Sequence, residues 1–294
     1  MWRKEPRMMK RHPVDRPLGV SEAALGEGSP IPLVRLPTSE AVIARFADDL
    51  LAEYRRARAA GREKVVFIVP VGPVGQFDLL ARRANVEGES LRDLVVLNMD
   101  EYLSPDGRER IPESDPLSFR RHMQAHFYDL LDPALAPPPA QRLFPDPRDP
   151  DAVPRALAGW GGVDVCFGGI GITGHVAFND PPEPGEPIGL AEFRRLRTRV
   201  VRLARETIVI NAVTGARGNL DRIPRLAVTV GMREILEARK VRIYMNREWQ
   251  CAIVRKVLHG PVTASVPASL LQEHGDVRLT IAAAVARLPE PALR

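Results

Sequence analysis

Aromatic residues make up only 5% of this 294-residue chain, too few to supply the stacking platforms that hold single-stranded nucleic acids. Cysteine is scarcer still. Cys166 and Cys251 are the only two, and they lack CxxC spacing. That excludes a disulfide framework and fits buried thiols in a reducing compartment. No uninterrupted apolar run reaches the roughly 18 residues of a membrane-spanning helix. The N-terminal "MWRKEPRMMKRHPVDRP" is cationic but has no apolar stretch behind it, so it does not read as a secretory signal. A cytoplasmic protein with no membrane partner is expected. The net charge of +5 comes from cations spread along the whole chain. Without a cluster there is no nucleic-acid footprint, and a small anionic substrate is the better fit. No internal repeat is present.

Apolar residues are plentiful, at 45%, enough for a large core. Residues 1 to about 30 are polar and broken by Gly and Pro, and read as a loosely ordered extension. Residues 31–294 read as one α/β domain. A helix is expected from the cap candidates Thr38 and Ser39 to about Ala60, with Gly61 as its stop. The strand "KVVFIVPV", a turn "GPVG" and a helix from Gln76 come next, and then the strand "DLVVLNMD" ending at Asp100. Asp115 is the expected cap of a helix through "LSFRRHMQAHFYDLL". The Pro-rich "DPALAPPPAQRLFPDPRDP" reads as a surface crossing, followed by the helix "DAVPRALAGW". Later, "RLAVTV" and "VRIYMN" read as strands, and "GMREILEA" and "EWQCAIVRKVLHG" as helices. Near-continuous apolar strands alternating with helices predict a Rossmann-like, doubly wound, mostly parallel sheet covered on both faces.

In such sheets ligands bind outside the carboxyl ends of the strands. Three segments fall there: Pro70–Gly75, "NMDEY" at 98–102, and "GGIGITGHVAFNDPP" at 168–182. They bring Asp100, Glu101 and His175 toward one cleft, two acids and a base suited to proton transfer. The spacing Gly169-x-Gly171-x-x-Gly174 matches a dinucleotide fingerprint, but the context contradicts it. Pro181 and Pro182 cut the chain soon after the glycines, and "FRRLRTRVVRLAR" replaces the acidic strand end that a ribose would need. No organic cofactor is expected. No histidine carries a ligand motif either; His122 and His126 share i, i+4 spacing but lack the inner Glu of a zinc helix, so no metal is expected.

"NMDEYL", "GGIGITGHVAFNDPP" and "VTVGMREILEA", in this order over about Val65 to Gly260, resemble the glucosamine-6-phosphate deaminase/isomerase family. The resemblance implies an aldose–ketose conversion in which an amino sugar phosphate is ring-opened, a proton moves from C2 to C1, and C2 loses ammonia. It implies Asp100 as the C2 base and His175 as carrier of the ring-oxygen proton. Asp180, one methylene shorter than the family Glu, would orient His175. Pro70, Val71, Gly72, Gly169, Gly171, Thr173, Gly174 and Gln250 would contact the sugar, under a small lid at about 183–222. The family loop P-T-G-G-T-P is here Pro70-Val71-Gly72-Pro73-Val74-Gly75, its lysine aligns with Gln250, its lid arginine falls near Val213, and Thr173 replaces an Asp or Asn. Each lost charge-assisted hydrogen bond removes roughly 1.5–3 kcal/mol. Either the sugar lacks the usual phosphate, or other cations such as Arg194, Arg195, Arg205 or Arg217 hold it. A sugar-phosphate lactonase relative and a non-catalytic sugar sensor are the alternative readings, and a homo-oligomer stays open.

Overall fold

The computed structural model describes residues 17–290 except 184 and 187. A seven-stranded, wholly parallel sheet forms its centre, in the order β1-β10-β9-β6-β2-β3-β5. The strands are β1 (Leu33–Leu36), β2 (Val65–Val69), β3 (Leu94–Asn98), β5 (Arg142–Leu143), β6 (Val165–Gly168), β9 (Lys240–Met245) and β10 (Val277–Ala282). In β2, β3 and β6 every residue is buried, as a sheet covered on both faces requires.

The covering helices include α1 (Ser39–Ala59), α2 (Gln76–Glu87), α4 (Ala152–Gly159), α8 (Cys251–His259) and the short α9 (Ala283–Ala286). Thr38 caps α1 as its sequence position suggests, its hydroxyl accepting from the Ala41 N–H at 3.1 Å. Asp115 does not cap the next helix. Ser118 does, accepting from the Arg121 N–H, and only Phe119–Met123 (α3) is α-helical before a π-helical turn at Gln124–Tyr128. The Asp115 side chain instead accepts from Leu117 N–H and pairs with Arg222.

A second, three-stranded antiparallel sheet lies beyond the carboxyl ends, in the order β4-β8-β7. It comprises β4 (Asp100–Tyr102), β7 (Arg199–Arg202) and β8 (Leu226–Thr229). The "RLAVTV" strand therefore belongs to this small sheet and not to the parallel one. Around it sit α5 (Leu190–Phe193), α6 (Arg205–Gly215) and α7 (Met232–Leu236), so β7 and α6 fall within the segment expected as a lid. A satellite core of Tyr102, Ile111, Phe178, Leu203, Ile208 and Ile223 packs within this layer, separate from the main core.

Residues 17–30 pack on the body. Leu25 is buried, the Arg255 side chain donates to Val20 O, and Gly26 N–H donates to His259 Nε2. Residues 1–16 of the expected extension lie outside the described residues. Both thiols are buried and unbridged, and burial pushes Cys166 up to about 12. Among the described residues no helix is long and apolar enough to cross a membrane.

Candidate active site

The ends of β2, β3, β6 and β9 open onto a cleft of about 380 Å³. Each strand end delivers one wall. The turn after β2 supplies Pro70 to Val74, the step from β3 into β4 supplies Met99 and Asp100, the loop after β6 supplies Gly169 to Gly171 and His175, and the turn after β9 supplies Asn246, Arg247, Trp249 and Gln250. Asn211, Thr214 and Gly215 of α6 and the nearby Ile223 close the top.

Asp100 opens β4, where the chain crosses from the large sheet to the small one through the single residue Met99. Met99 N–H donates to Val69 O, and Val230 N–H donates to Met99 O, so the crossing is fixed on both sides. The Asp100 carboxyl is buried and its proton affinity is raised well above the ordinary carboxylate range, by burial first and then by the charge of Glu101. A carboxyl poised in this way is what a base that takes and returns a proton needs.

His175 sits at the other side of the cleft. Its Nδ1 lies 2.7 Å from Asp180 Oδ1, which also accepts from the hydroxyls of Thr173 at 2.8 Å and Thr207 at 2.7 Å. The second Asp180 oxygen accepts from the Ala204 N–H at 3.1 Å. Burial alone would raise Asp180, but the bonds from His175, Thr207 and Ala204 bring it down to about 2. With Nδ1 committed to a carboxylate, Nε2 is the nitrogen left for exchange with a ligand. The ring packs tightly against Gly171: a Cβ there would stand 2.0 Å from His175 Nε2 and 2.1 Å from Cε1.

The His175 loop is stitched to the small sheet. Phe178 N–H donates to the Thr229 hydroxyl at 3.0 Å, and the buried Asn179 amide donates to Val176 O and Val230 O. Thr229 is also the register partner of Asp100.

Of the residues expected at the sugar, Pro70, Val71, Gly72, Asp100, Gly169, Gly171, His175 and Gln250 line the cleft. Thr173 and Gly174 do not. Thr173 is spent on His175 and Asp180, and Gly174, at φ +88°, packs against Val266 and Ile253. Gln250 is present but committed: its amide donates to Ile170 O at 2.8 Å and accepts from Arg247 N–H at 2.9 Å. It pins the glycine loop to the start of α8 and offers no charge. Gln76 does the same for the β2 turn, donating to Val71 O at 2.9 Å.

None of Arg194, Arg195, Arg205 and Arg217 lines the cleft, and Arg194 pairs with Glu273. The arginine that does line it is Arg247, which sequence reasoning passed over because nothing in its neighbourhood marks it. Thr207 and Asn211 were missed too; Asn211 donates to the Tyr102 hydroxyl at 2.9 Å. Among the described residues no group of three or more His, Cys, Asp or Glu side chains could hold a metal. His122 and His126 stack ring on ring at 4.3 Å, a packing arrangement and not a chelating one.

No protein-family model matches the chain. Curated relatives do. It is 33% identical over 192 residues to the glucosamine-6-phosphate deaminase of Exiguobacterium sibiricum, covering 65% of this chain and 68% of the relative. To that of Rhodopirellula baltica it is 30% identical over 261 residues, covering 86% and 94%. Among solved structures, a monomeric glucosamine-6-phosphate deaminase matches with a TM-score of 0.70 at 24% identity over 87% of this chain and 99% of that one. The 6-phosphogluconolactonase of Trypanosoma brucei matches at 0.60 with 16% identity over 87% and 97%. At such identities the structural likenesses speak for the fold.

Proposed function

Because the chain belongs to the glucosamine-6-phosphate deaminase family, we propose that its cleft converts an amino sugar phosphate to a ketose phosphate and ammonia. The observation that carries this reading is the pairing of Asp100 and His175 across one cleft, the first buried with raised proton affinity, the second held by a low-lying carboxylate. His175, oriented through Nδ1 by Asp180, carries the ring-oxygen proton as the pyranose opens to the aldehyde. Asp100 takes the C2 proton as the aldehyde O1 gains one, leaving an enolamine, and returns it at C1 while the nitrogen gives up a proton, so that the net change is an isomerisation. The product is an imine at C2, which water hydrolyses to the ketose and ammonia.

Arg247 is the cation we assign to the distal anion. It lines the cleft where α8 begins, and the turn before α2 faces the same space. Helix N-termini present unpaired N–H groups and favour negative charge, which supplements a single guanidinium. The Val71-Gly72-Pro73-Val74 turn adds no hydroxyl, and Pro73 has no N–H, so this anion site carries fewer donors than the family loop.

Ammonia release from glucosamine 6-phosphate, and from glucosamine alongside it, tests the proposal. Release from the phosphorylated sugar that Asp100→Asn abolishes is the expected result. Release from the unphosphorylated sugar alone would overturn the role of Arg247. A sugar that binds without losing ammonia in the wild type would overturn the deaminase reading and favour a sensor.

A further inference from the structure

Next to Asp100 stands a second acid that the reaction above does not use. Glu101 is 0% exposed, and its two oxygens collect five donor contacts. Oε1 accepts from Tyr102 N–H at 2.9 Å and Phe119 N–H at 3.1 Å. Oε2 accepts from the Ser118 hydroxyl at 3.0 Å, the Arg120 N–H at 3.0 Å and the Arg120 Nε at 3.4 Å. The backbone and guanidinium partners can only donate, which suits the ionised carboxylate, an acceptor at every lone pair. Four of these five contacts come from Ser118, Phe119 and Arg120, the cap and first turn of α3. The segment they anchor carries Leu117 and Phe119, both of which line the cleft. Phe119 packs against Tyr102 at 5.0 Å and Phe178 at 6.2 Å between ring centroids.

We propose that Glu101 is a positioning residue for the reaction proposed above, pinning the cleft wall at Leu117 and Phe119 and placing a fixed negative charge beside the Asp100 base. The inference rests on that reading of Asp100. The two functions come from one carboxylate because β4 sends successive side chains to opposite faces: Asp100 toward the cleft, Glu101 back toward α3. Burial raises both acids; for Glu101 the hydrogen bonds from Arg120, Phe119, Ser118 and Tyr102 hold back part of that rise, and its carboxyl still stands above the ordinary range. Asp100 has burial and the Glu101 charge acting in the same direction. The other titratable or charged groups around Asp100 are Tyr102 on its own strand, His175 across the cleft, Arg120 behind Glu101, Arg199 on β7 and Arg247 at the far wall. Arg120 is the lever: it sits on Glu101, so removing it leaves the Glu101 charge less compensated without touching the cleft-lining atoms.

The experiment follows the proton on Asp100 directly, through the protonated-carboxyl infrared band that disappears in Asp100→Asn, recorded against pH in the free protein. In Glu101→Gln this band is expected to titrate at lower pH than in wild type, because a like charge has been removed. In Arg120→Met it is expected to titrate at higher pH. Glu101→Asp keeps the charge on a shorter arm, so it should leave the band near its wild-type position while raising KM. Displacements in the same direction for Glu101→Gln and Arg120→Met, or no displacement in either, would overturn the inference and leave Glu101 a structural anchor. Arg120→Met keeps the test alive if Glu101→Gln does not fold. Since the band is read without substrate, its behaviour is separable from the failure of the deaminase reading, which shows only as absent ammonia release in the wild type.

Discussion

The substitution Gly171→Ala isolates the placement of the histidine from everything else in the loop. Gly171 does not have a positive φ, so alanine fits its backbone. What alanine meets is the imidazole: the new Cβ would lie 2.0 Å from Nε2, 2.1 Å from Cε1 and 2.6 Å from Cδ2. Those separations are well inside van der Waals contact, and the ring must leave. Leaving breaks the 2.7 Å bond to Asp180 and the 2.8 Å contact to Thr173. A charge-assisted bond of this kind contributes about 1.5–3 kcal/mol, so a modest fall in Tm is expected. The catalytic cost is larger, since a positioned proton carrier contributes about 10²–10⁴-fold. Steady-state ammonia release should therefore lose kcat by at least about 10²-fold. Gly275→Ala is the control for a glycine substitution away from the cleft. Its Cβ would meet nothing within 4 Å, and it should stay within a few-fold of wild type. Equal kcat in Gly171→Ala and wild type would refute the assignment of His175 to proton transfer.

Other outcomes follow from the same geometry. Asp180 is held at about 2 against an ordinary 3.8, so its contribution to stability is present above about pH 4 and is lost as pH falls through about 2; the difference amounts to about 2 kcal/mol. In urea melts, the gap between wild type and Asp180→Asn should be full at pH 5 to 7 and shrink toward pH 2. Asp100 has the opposite sign. Its raised proton affinity favours the fold at low pH, and that support is lost as pH rises through its titration. Asp100→Asn should therefore be inactive yet melt higher than wild type, with a gap that widens as pH rises. Removing the guanidinium in Arg247→Ala should raise KM for the phosphorylated sugar by about 10- to 100-fold with a much smaller effect on kcat. An unchanged KM would assign the distal anion elsewhere.

The parallel core was readable because β2, β3 and β6 are short apolar runs followed by turn residues, and the three polar segments at their ends do converge on one cleft. The small sheet was not readable as such. A short apolar run such as Leu226–Thr229, buried at its last three residues, carries no information about strand direction, and its pattern alone predicts one more parallel strand. Its partner β7 hides in an arginine-rich stretch whose burial alternates residue by residue. The edge strand β1 is only four residues long, and β10 sits behind a 3-10 turn; neither has flanking signals strong enough to stand out. Asp115, the expected cap, and Ser118, the observed one, are both good capping residues three positions apart, and the hold of Glu101 on the Ser118 hydroxyl is a tertiary contact that no local pattern encodes. Thr207 is a threonine inside a helix, and Arg247 one arginine among many. Their significance lies in what they face, which no local pattern encodes.

The stitching of the His175 loop to β8 has a consequence for how the chemistry is portable. Asp100 is paired to β8 through Thr229, and the histidine loop hangs from the same strand through Thr229 and Val230. The spacing of Asp100 and His175 is thus measured out across the antiparallel pair β4 and β8. The seven parallel strands provide the floor on which this gauge rests. A graft that copied the large sheet and its loops into another scaffold would carry the shape of the cleft but lose the spacing of its acid and its imidazole. Moving the activity means moving β8.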